Sequence, residues 1–567
     1  MLDPRLLERL RQGDRAAADA VAAAASRAVL GGRLDEAEGL LRAALAVQPR
    51  AAVLLARAAG LRQLRGDAGG ALTLARAAVR EDPGEAMAAT LAIDGLVEQG
   101  LAGEALRIGA AALARTGAAS VLRAQSQALL MAGRAPEAQQ QARAALAAAP
   151  GDAVAISTVC ITALYDDTLD GAALARLHVE HASRMPAAAH GAALTPRAPR
   201  GGRSLRIGIL SPDLRDHPMG RFAQPLFAHL DRARFELFAY ARVAAPDAIT
   251  ARLQAQPELA WRDTAALDDA AVHAQIQRDG IDVLLDLAGH TAGGRPRLIA
   301  ARAAPVQLGW LGYSHPGGLP NVDGFVADDA ICPAGSDVPG LEPALRMQGS
   351  ALCLPADPDA PPLAATPSAR GAPFTFASFN HLAKLSDATV ALWCRVLDAV
   401  PDARLALCAM PLRDPLLRAA TLARFTAHGL DPRRLLLLPP RRPLAAFLAQ
   451  YDAVDVALDP LPFHGGTTTA QALWQGVPVL SLAGDAPQRR MGASLLRAAG
   501  LADSLLARDG ADCVAMARAL ASDPSRLAAL RATMRERLAA ATDGRDFARR
   551  FGAAVEGFIA GRPDAHA

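Results

Sequence analysis

Lysine is almost absent from this chain of 567 residues. Lysine and arginine together number 60, and all but one of these residues are arginine; the exception is Lys384. A lysine that survives where arginine holds every other position indicates a place that needs a compact ammonium with three donors, not a planar guanidinium. The alternative is chance survival of one surface lysine.

Other features are also scarce. The six cysteines include no C-x-x-C pair, which argues against a zinc site and a disulfide framework. The net charge is only +3 and no basic stripe is present, so nucleic acid is a poor candidate partner. No apolar run is long enough to cross a bilayer, and the N-terminus is charged within five residues. We therefore expect no signal peptide, no membrane span and a cytoplasmic location.

The first third of the chain repeats itself. Similar segments recur with glycines 34, 34 and 33 residues apart, and with alanines and prolines in the same phase. This period predicts tetratricopeptide repeats, in which glycine ends the first helix, alanine lets the two helices approach and proline stops the second. The recurring residues are Gly32, Gly66, Gly100, Gly133; Ala37, Ala71, Ala105, Ala138; Pro49, Pro83 and Pro150.

We expect repeats and bridging helices over residues 1–185 and a linker over 186–203. Stacked repeats form a groove that commonly holds a peptide or partner protein. A spacer or dimerisation arm is the alternative.

Short apolar runs alternating with helical patterns follow, which predicts parallel sheets. The predicted strands are 205–210, 235–241, 281–289, 305–313 and 322–329 in the first half, and 374–380, 404–410, 434–440, 455–460 and 477–484 in the second. The expected domains are a first α/β lobe on the acceptor side (204–355), an interlobe linker (356–373), and a second lobe that binds the donor and ends in C-terminal helices (374–567). Two doubly wound halves bind ligands at the carboxyl ends of their strands.

Two motifs of the second half lie at such strand ends. Lys384 follows the predicted strand "FTFASFN" and precedes a helix capped by Ser386 or Asp387. In "DPLPFHGGTTTAQALW", two glycines precede Thr467, which opens a helix whose free N–H groups favour an anion. Together the motifs predict a diphosphate cradle.

The first half offers candidate proton acceptors. His217 in "DHPMGRF" lies in a loop before a helix, where an imidazole could take a proton. The alternative is a capping or core histidine. Further polar residues follow other strands and suggest an acceptor or sugar pocket: His290, Thr291, Tyr313 and His315.

The repeats, together with "DHPMGRF", "RAAPVQLGWLGY", "SFNHLAK" and "GGTTTAQALWQGVPVL", resemble the O-GlcNAc transferase family, glycosyltransferase family 41. The resemblance implies a GT-B fold and an inverting, metal-independent transfer without cofactor, usually from UDP-GlcNAc to protein Ser or Thr. It implies catalytic roles for Lys384 and for His217, with a donor phosphate oxygen as the other candidate base. The donor-binding residues it implies are Asn380, His381, Lys384, Phe447, Gly465, Gly466, Thr467, Thr468, Thr469, Gln471 and Arg490.

Two positions depart from the O-GlcNAc enzymes. Gly466 stands where they carry a histidine, and Gln471 stands where an aspartate can hold ribose hydroxyls. The G-T-T-T run resembles instead the plant SPINDLY-type O-fucosyltransferases, which use GDP-fucose. A protein O-fucosyl- or N-glucosyltransferase, or a tetratricopeptide scaffold without catalysis, therefore remains an alternative.

Overall fold

The structure is a computed structural model in which contacts divide the chain into two units. The repeat unit comprises Met1–Thr162 and Met410–Ala420, and the lobe unit comprises Ala163–Ala409 and Thr421–Ala567. Most of the expected linker 186–203 and three residues of the expected interlobe linker lie outside the described residues. The described residues are 3–188, 202–355, 357 and 360–561.

The repeat unit is built from antiparallel helix pairs. At the end of each first helix a glycine adopts a positive φ, between 73° and 78°, which a side chain would disfavour. The recurring alanines are at most 2% exposed, so they lie where paired helices touch. The predicted repeats are confirmed. The helices are α1 (Pro4–Arg11), α2 (Arg15–Leu30), α3 (Leu34–Val47), α4 (Ala52–Leu64), α5 (Ala68–Glu81), α6 (Ala86–Glu98), α7 (Ala102–Leu113), α8 (Ala119–Met131), α9 (Ala135–Ala148) and α10 (Ala153–Ala163).

A short segment from later in the chain also belongs to the repeat unit. Residues Met410–Ala420 include a 3₁₀ turn, Met410–Arg413, and the start of a later helix. Asp414 in this segment accepts a hydrogen bond from the backbone N–H of Gly103 at 2.8 Å. This bond fixes the segment to the start of α7.

The lobe unit begins with a loop and a helix, α11 (Gly171–Ala182), which Asp170 caps. A seven-stranded parallel sheet with order β3-β2-β1-β4-β5-β6-β7 follows. The sequence predicted five of these strands but missed β3 and β7, whose residues are only partly buried and therefore lack a continuous apolar pattern. The elements are β1 (Leu205–Ser211), α12 (Pro218–His229), β2 (Phe235–Ala241), α13 (Ala248–Gln254), β3 (Leu259–Asp263), α14 (Asp269–Asp279), β4 (Val283–Asp286), α15 (Pro296–Ala300), β5 (Val306–Trp310), β6 (Gly324–Asp328) and β7 (Ala344–Met347).

The second lobe holds a six-stranded parallel sheet with order β10-β9-β8-β11-β12-β13. Its last strand, two residues long, was not predicted. The elements are β8 (Thr375–Ser378), α16 (Asp387–Ala399), β9 (Arg404–Cys408), α17 (Pro415–Ala427), β10 (Leu435–Leu438), α18 (Leu444–Leu448), β11 (Val456–Leu458), α19 (Thr467–Trp474), β12 (Val479–Leu482), α20 (Met491–Ala498), α21 (Ala502–Leu505), β13 (Leu506–Ala507), α22 (Gly510–Ser522), α23 (Pro524–Ala541) and α24 (Gly544–Ala560).

The last helix crosses back to the first lobe. Phe547 and Phe551 of α24 pack on Trp310 of β5, with ring centroids 5.9 and 5.7 Å apart. The sequence grouped this helix with the second lobe because nothing in a linear pattern shows which sheet a helix covers. The lobes also meet where Ser494 donates a hydrogen bond to Asp328 at 2.6 Å. The predicted fold class, repeats followed by two doubly wound lobes, is confirmed.

Candidate active site

Lys384 lies in a 3₁₀ turn, Leu382–Lys384, just past the end of β8. Its ammonium donates to the backbone carbonyl of His464 at 2.6 Å and lies 4.2 Å from the ring centroid of Phe463. Burial lowers the pKa of Lys384 to about 8, and the carboxylate of Asp459 opposes this shift. One N–H group of the ammonium is used in this hydrogen bond, and the other two can bind an anionic ligand.

The loop that receives Lys384 leads into α19, and we name residues 463–469 the glycine-threonine loop. A Cβ on Gly465 would lie 2.6 Å from the hydroxyl of Thr469 and closer still to that of Thr468, so only glycine fits. Gly466 is the N-cap of α19 and makes no side-chain capping bond. The first N–H groups of this helix therefore lack a side-chain acceptor and can bind an anion.

Buried polar residues fix the position of the glycine-threonine loop. Asp459, after β11, accepts from the N–H of Gly465 at 2.7 Å and from the hydroxyl of Ser481 at 2.6 Å. The fully buried ring of His464 lies 3.4 Å from Asp459 and donates through Nε2 to the carbonyl of Leu482 at 3.0 Å. Burial lowers the pKa of His464. Sequence reasoning missed Asp459 and His464, although an acid at a strand end beside a glycine pair was a usable signal.

The segment after β8 is joined to the start of α19 through Asn380 and Thr468. The hydroxyl of Thr468 donates to Asn380 Oδ1 at 2.8 Å, and the hydroxyl of Tyr451 donates to the carbonyl of Thr468 at 3.2 Å. His381 caps the turn of Lys384 by accepting from Ala383 N at 3.1 Å. Burial, together with the charge of Lys384, lowers the pKa of His381 to about 4, so its imidazole is neutral at neutral pH.

Phe447 is a half-buried aromatic side chain on α18. Its ring centroid lies 5.7 Å from that of Phe379 and 6.1 Å from that of Tyr451. Since Tyr451 also bonds to Thr468, this aromatic group adjoins the glycine-threonine loop. A flat, partly exposed ring here can stack on a nucleotide base, which remains a prediction.

Gln471 and Arg490 line two different cavities. The cavity at Gln471 is shared by both lobes, because Arg221 of α12 and Asp357 also line it and form an ion pair at 2.9 Å. Arg490 donates from Nε to Gly484 O at 2.6 Å and lines a cavity with His315 instead. The structure therefore does not bring these two predicted donor-binding residues into one pocket.

His217 is the N-cap of α12, in the loop that follows β1. Its Nδ1 is 3.3 Å from the backbone N of Met219 and 3.6 Å from a carboxylate oxygen of Asp213. Burial lowers the pKa of His217, and the Asp213 carboxylate opposes the shift. The side chain remains 37% exposed, so a substrate can reach it. Sequence reasoning missed Asp213.

Three of the predicted acceptor-pocket residues pack together in the interior. His290 donates to Gly317 O at 2.9 Å and His315 donates to Pro316 O at 2.7 Å. The hydroxyl of Tyr313 bonds to His178 of α11, whose ring centroid is 4.5 Å from that of His315. Burial lowers the pKa values of His290 and His315 to about 4.

We name His178, His290, Tyr313 and His315 the histidine cluster. Each of them is at most 4% exposed. The hydroxyl of Thr291 donates to Ala288 O at 2.8 Å, outside these ring contacts. A role of these residues in an acceptor pocket remains a prediction. His178 was missed because its helix is far from the other members in sequence.

Among the described residues, no group of three or more His, Cys, Asp or Glu side chains could hold a metal ion. All six cysteines are buried and unpaired. In the part of the chain that the structure describes, no helix is long and apolar enough to cross a membrane.

Two doubly wound lobes, the second with an ammonium and an uncapped helix start after its strands, define the GT-B class of fold. The chain belongs to glycosyl transferase family 41, whose model matches residues 175–337 and 370–545.

Relatives of known sequence and structure agree with this family. A tomato (Solanum lycopersicum) protein named probable UDP-N-acetylglucosamine–peptide N-acetylglucosaminyltransferase SPINDLY is 34% identical over 61% of this chain and 38% of its own length. Arabidopsis thaliana SEC, which carries the same enzyme name, is 28% identical over 62% of this chain and 36% of its own. The chain thus spans less than two-fifths of these curated relatives. A mutant O-GlcNAc transferase from Thermobaculum terrenum has a similar structure, with a TM-score of 0.83, 31% identity, and coverage of 89% of this chain and 97% of that one.

Proposed function

We propose that this protein is an inverting, metal-independent glycosyltransferase that moves a sugar from a nucleotide diphosphate to Ser or Thr of a protein. UDP-GlcNAc is the first-choice donor. One observation carries the proposal: the sole lysine of the chain donates to the same loop whose helix start is left uncapped. Positive charge and free N–H groups then face one place, as a diphosphate requires.

In the proposed transfer, the acceptor oxygen forms a bond to the anomeric carbon while the bond from that carbon to the diphosphate breaks. The negative charge that develops on the leaving diphosphate is met by the ammonium of Lys384 and the first N–H groups of α19. These groups are fixed before the reaction, so little reorganisation is needed when the charge appears. A bound diphosphate also raises the pKa of Lys384 above its value of about 8 in the free protein, which keeps the ammonium charged.

The acceptor hydroxyl must lose a proton, and His217 is the first candidate to take it. Because burial lowers its pKa, the imidazole is neutral at neutral pH and can accept a proton. Acceptance at Nε2 requires the tautomer with hydrogen on Nδ1, so the capping bond from the Met219 N–H to Nδ1 must open, and the Nδ1–H then faces the carboxylate of Asp213. A phosphate oxygen of the donor is the second candidate.

The identity of the donor rests on few residues. Gln471 offers a neutral amide where a carboxylate would hold ribose hydroxyls more strongly. The G-T-T-T run preceded by Gly466, which resembles the SPINDLY-type O-fucosyltransferases, keeps GDP-fucose as an alternative donor. The repeat unit supports a protein acceptor, since a long groove suits an extended chain better than a small molecule.

A transfer assay tests the proposal. The protein is mixed with a cell extract and with UDP-GlcNAc, UDP-glucose or GDP-fucose carrying a radiolabelled sugar, and label in protein is counted. We expect label from one donor and about a 10²–10³-fold slower rate in Lys384→Ala, as for removal of one oxyanion donor. The matched control is Arg433→Ala, because this arginine is 89% exposed on the same lobe. Failure of every donor, or full activity of Lys384→Ala, contradicts the proposal.

A further inference from the structure

A tyrosine from outside both sheets contacts the ring that holds Lys384. Tyr165 lies in the loop between α10 and α11, at the start of the lobe unit. Its ring stacks on that of Phe463 with centroids 4.8 Å apart and planes 22° apart. The same Phe463 ring lies 4.2 Å from the ammonium of Lys384. Three segments far apart in sequence therefore form one continuous contact.

The loop that carries Tyr165 is tied to the second lobe at several points. Asp167 accepts from the backbone N of Ala388 at 3.3 Å, at the start of α16. The carbonyl of Leu169 accepts from Arg489 at 2.5 Å. The N–H of Gly171 donates to Asp485 at 2.7 Å. These bonds fix the position of the Tyr165 ring relative to the glycine-threonine loop.

We propose that Tyr165 is a positioning residue that fixes Phe463 and, through it, the ammonium of Lys384. The inference rests on the proposed function of Lys384. A lysine ammonium ends a flexible four-carbon stem, so its position depends on what surrounds it. Here one carbonyl and one aromatic face define that position, and the aromatic face stays in place only while its other neighbour holds it. Misplacing a charge by about 1 Å can slow a reaction 10²-fold.

The stack also shields the ammonium from water. The titratable groups facing Lys384 are His381 on its own turn, Asp459 after β11 and His464 in the glycine-threonine loop. Because burial is the main cause of the lowered pKa of Lys384, removal of the Tyr165 ring admits water and raises that pKa towards 10.5. A purely structural role elsewhere in the fold would not move this pKa.

The test compares Tyr165→Ala, Tyr165→Leu and Tyr165→Phe in the full chain. The tyrosine hydroxyl has no hydrogen-bond partner among the described residues, so Tyr165→Phe keeps the contact intact. With whichever of UDP-GlcNAc, UDP-glucose and GDP-fucose supports transfer, we expect kcat to fall about 10-fold and donor KM to rise in the Ala and Leu variants, because a displaced ammonium meets both the bound and the leaving diphosphate less well. The alkaline limb of kcat/KM should move to higher pH in the same two variants, and Tyr165→Phe should match the unaltered protein.

The matched control is Phe374→Ala, which removes a half-buried ring that contacts Phe376 in the same lobe. We expect lower stability but unchanged kcat and pH profile. Wild-type kcat and pH profile in the folded Tyr165→Leu variant would overturn the inference, as would equal losses in the Phe and Leu variants. Lys384→Ala, assayed in parallel, separates the two ideas. An inactive Lys384→Ala with an unaffected Tyr165→Leu defeats only the positioning role, whereas an active Lys384→Ala defeats the proposed function as well.

Discussion

The two lobes place similar sequence signals in opposite surroundings. In the second lobe, polar residues after the strands border a loop in which Gly466, Thr467 and Thr468 stay partly exposed. In the first lobe, His290 and His315 also follow strands, yet both are 3% exposed. A polar residue at a strand end thus indicates a site only where its neighbours leave room for a ligand.

The element that packs on the strand ends of each lobe explains this difference in exposure. Helix α11 places His178 against Tyr313 and His315, so the carboxyl edge of the first sheet is filled there by protein side chains. In the second lobe, the loop before α11 contributes Tyr165, which packs beside the glycine-threonine loop. The loop with Tyr165 and the helix α11 thus form one segment that covers strand ends of the first lobe and packs beside the glycine-threonine loop of the second.

The glycine-threonine loop should be the least tolerant part of this comparison. We expect Gly465→Ala to weaken donor binding about 10³-fold, because the added Cβ collides with the hydroxyls of Thr468 and Thr469 and displaces several anion-binding groups at once. The matched control is Gly466→Ala, whose Cβ would meet only Met491 at an ordinary 3.6 Å. Titration with UDP-GlcNAc and GDP-fucose measures both. Equal affinities in the two variants would refute the role of the loop.

Substitution of the accessible His217 should slow transfer more than substitution of the buried histidines of the first lobe. We expect His217→Ala to lower kcat about 100-fold, the lower end of general-base effects. Asp213→Asn should lower it about 10-fold, because the amide no longer stabilises the imidazolium. Steady-state kinetics with the donor that supports transfer checks both. Unchanged kcat in His217→Ala would assign the proton to the donor phosphate.

The pH dependence of kcat/KM tests the role of Lys384. Its pKa of about 8 in the free protein means that the ammonium loses its proton as pH rises through 8. Since the charged form binds the diphosphate, kcat/KM should be full at pH 7 and fall about tenfold from pH 8 to pH 9 or 9.5. Residual activity of Lys384→Arg should lack this limb, because arginine stays protonated. A flat profile to pH 10 in the unaltered protein would exclude the lysine.

The histidine cluster should affect stability, with the smallest effect on catalysis. Its members His290 and His315 have pKa values near 4 when folded and about 6.5 when unfolded, so the unfolded chain binds more protons between these values. Stability is therefore present above pH 6.5 and is lost as pH falls towards 4, by up to about 1.4 kcal/mol per pH unit for each histidine.

The variant His290→Gln should make this acid-induced loss shallower and leave kcat at pH 7 within about twofold, since the ring packs on Tyr313 and donates to Gly317 O in the interior of the first lobe. Denaturant unfolding at pH 7 and pH 5, with transfer kinetics alongside, measures both effects. A large drop in kcat would instead support the predicted role of His290 in an acceptor pocket.

Local patterns predicted much of the fold. The 33–34-residue period, the glycines that end the first helices of the repeats and the buried central strands all follow from spacing and composition. The same patterns located Lys384 and the start of α19, because a glycine pair before threonines is a local signal for an anion site. Ser386, one of two predicted caps, is the N-cap of α16.

What the sequence could not predict depends on contacts between distant segments. Nothing near Tyr165 indicates that it stacks on Phe463 almost 300 residues away. The pairing of His178 with Tyr313 likewise exists only after α11 has packed on the first sheet. Strands β3, β7 and β13 were not predicted because they are short or partly exposed, so a hydrophobic pattern alone does not identify them.

The most direct measurement is donor binding by the unaltered protein and by Lys384→Ala. Calorimetric titration with UDP-GlcNAc, UDP-glucose and GDP-fucose would identify the nucleotide and test the cradle together. We expect one donor to bind the unaltered protein and Lys384→Ala to lose this binding, whereas Arg433→Ala keeps it. Binding of equal strength to Lys384→Ala, or no binding of any donor to the unaltered protein, would contradict a diphosphate site at Lys384.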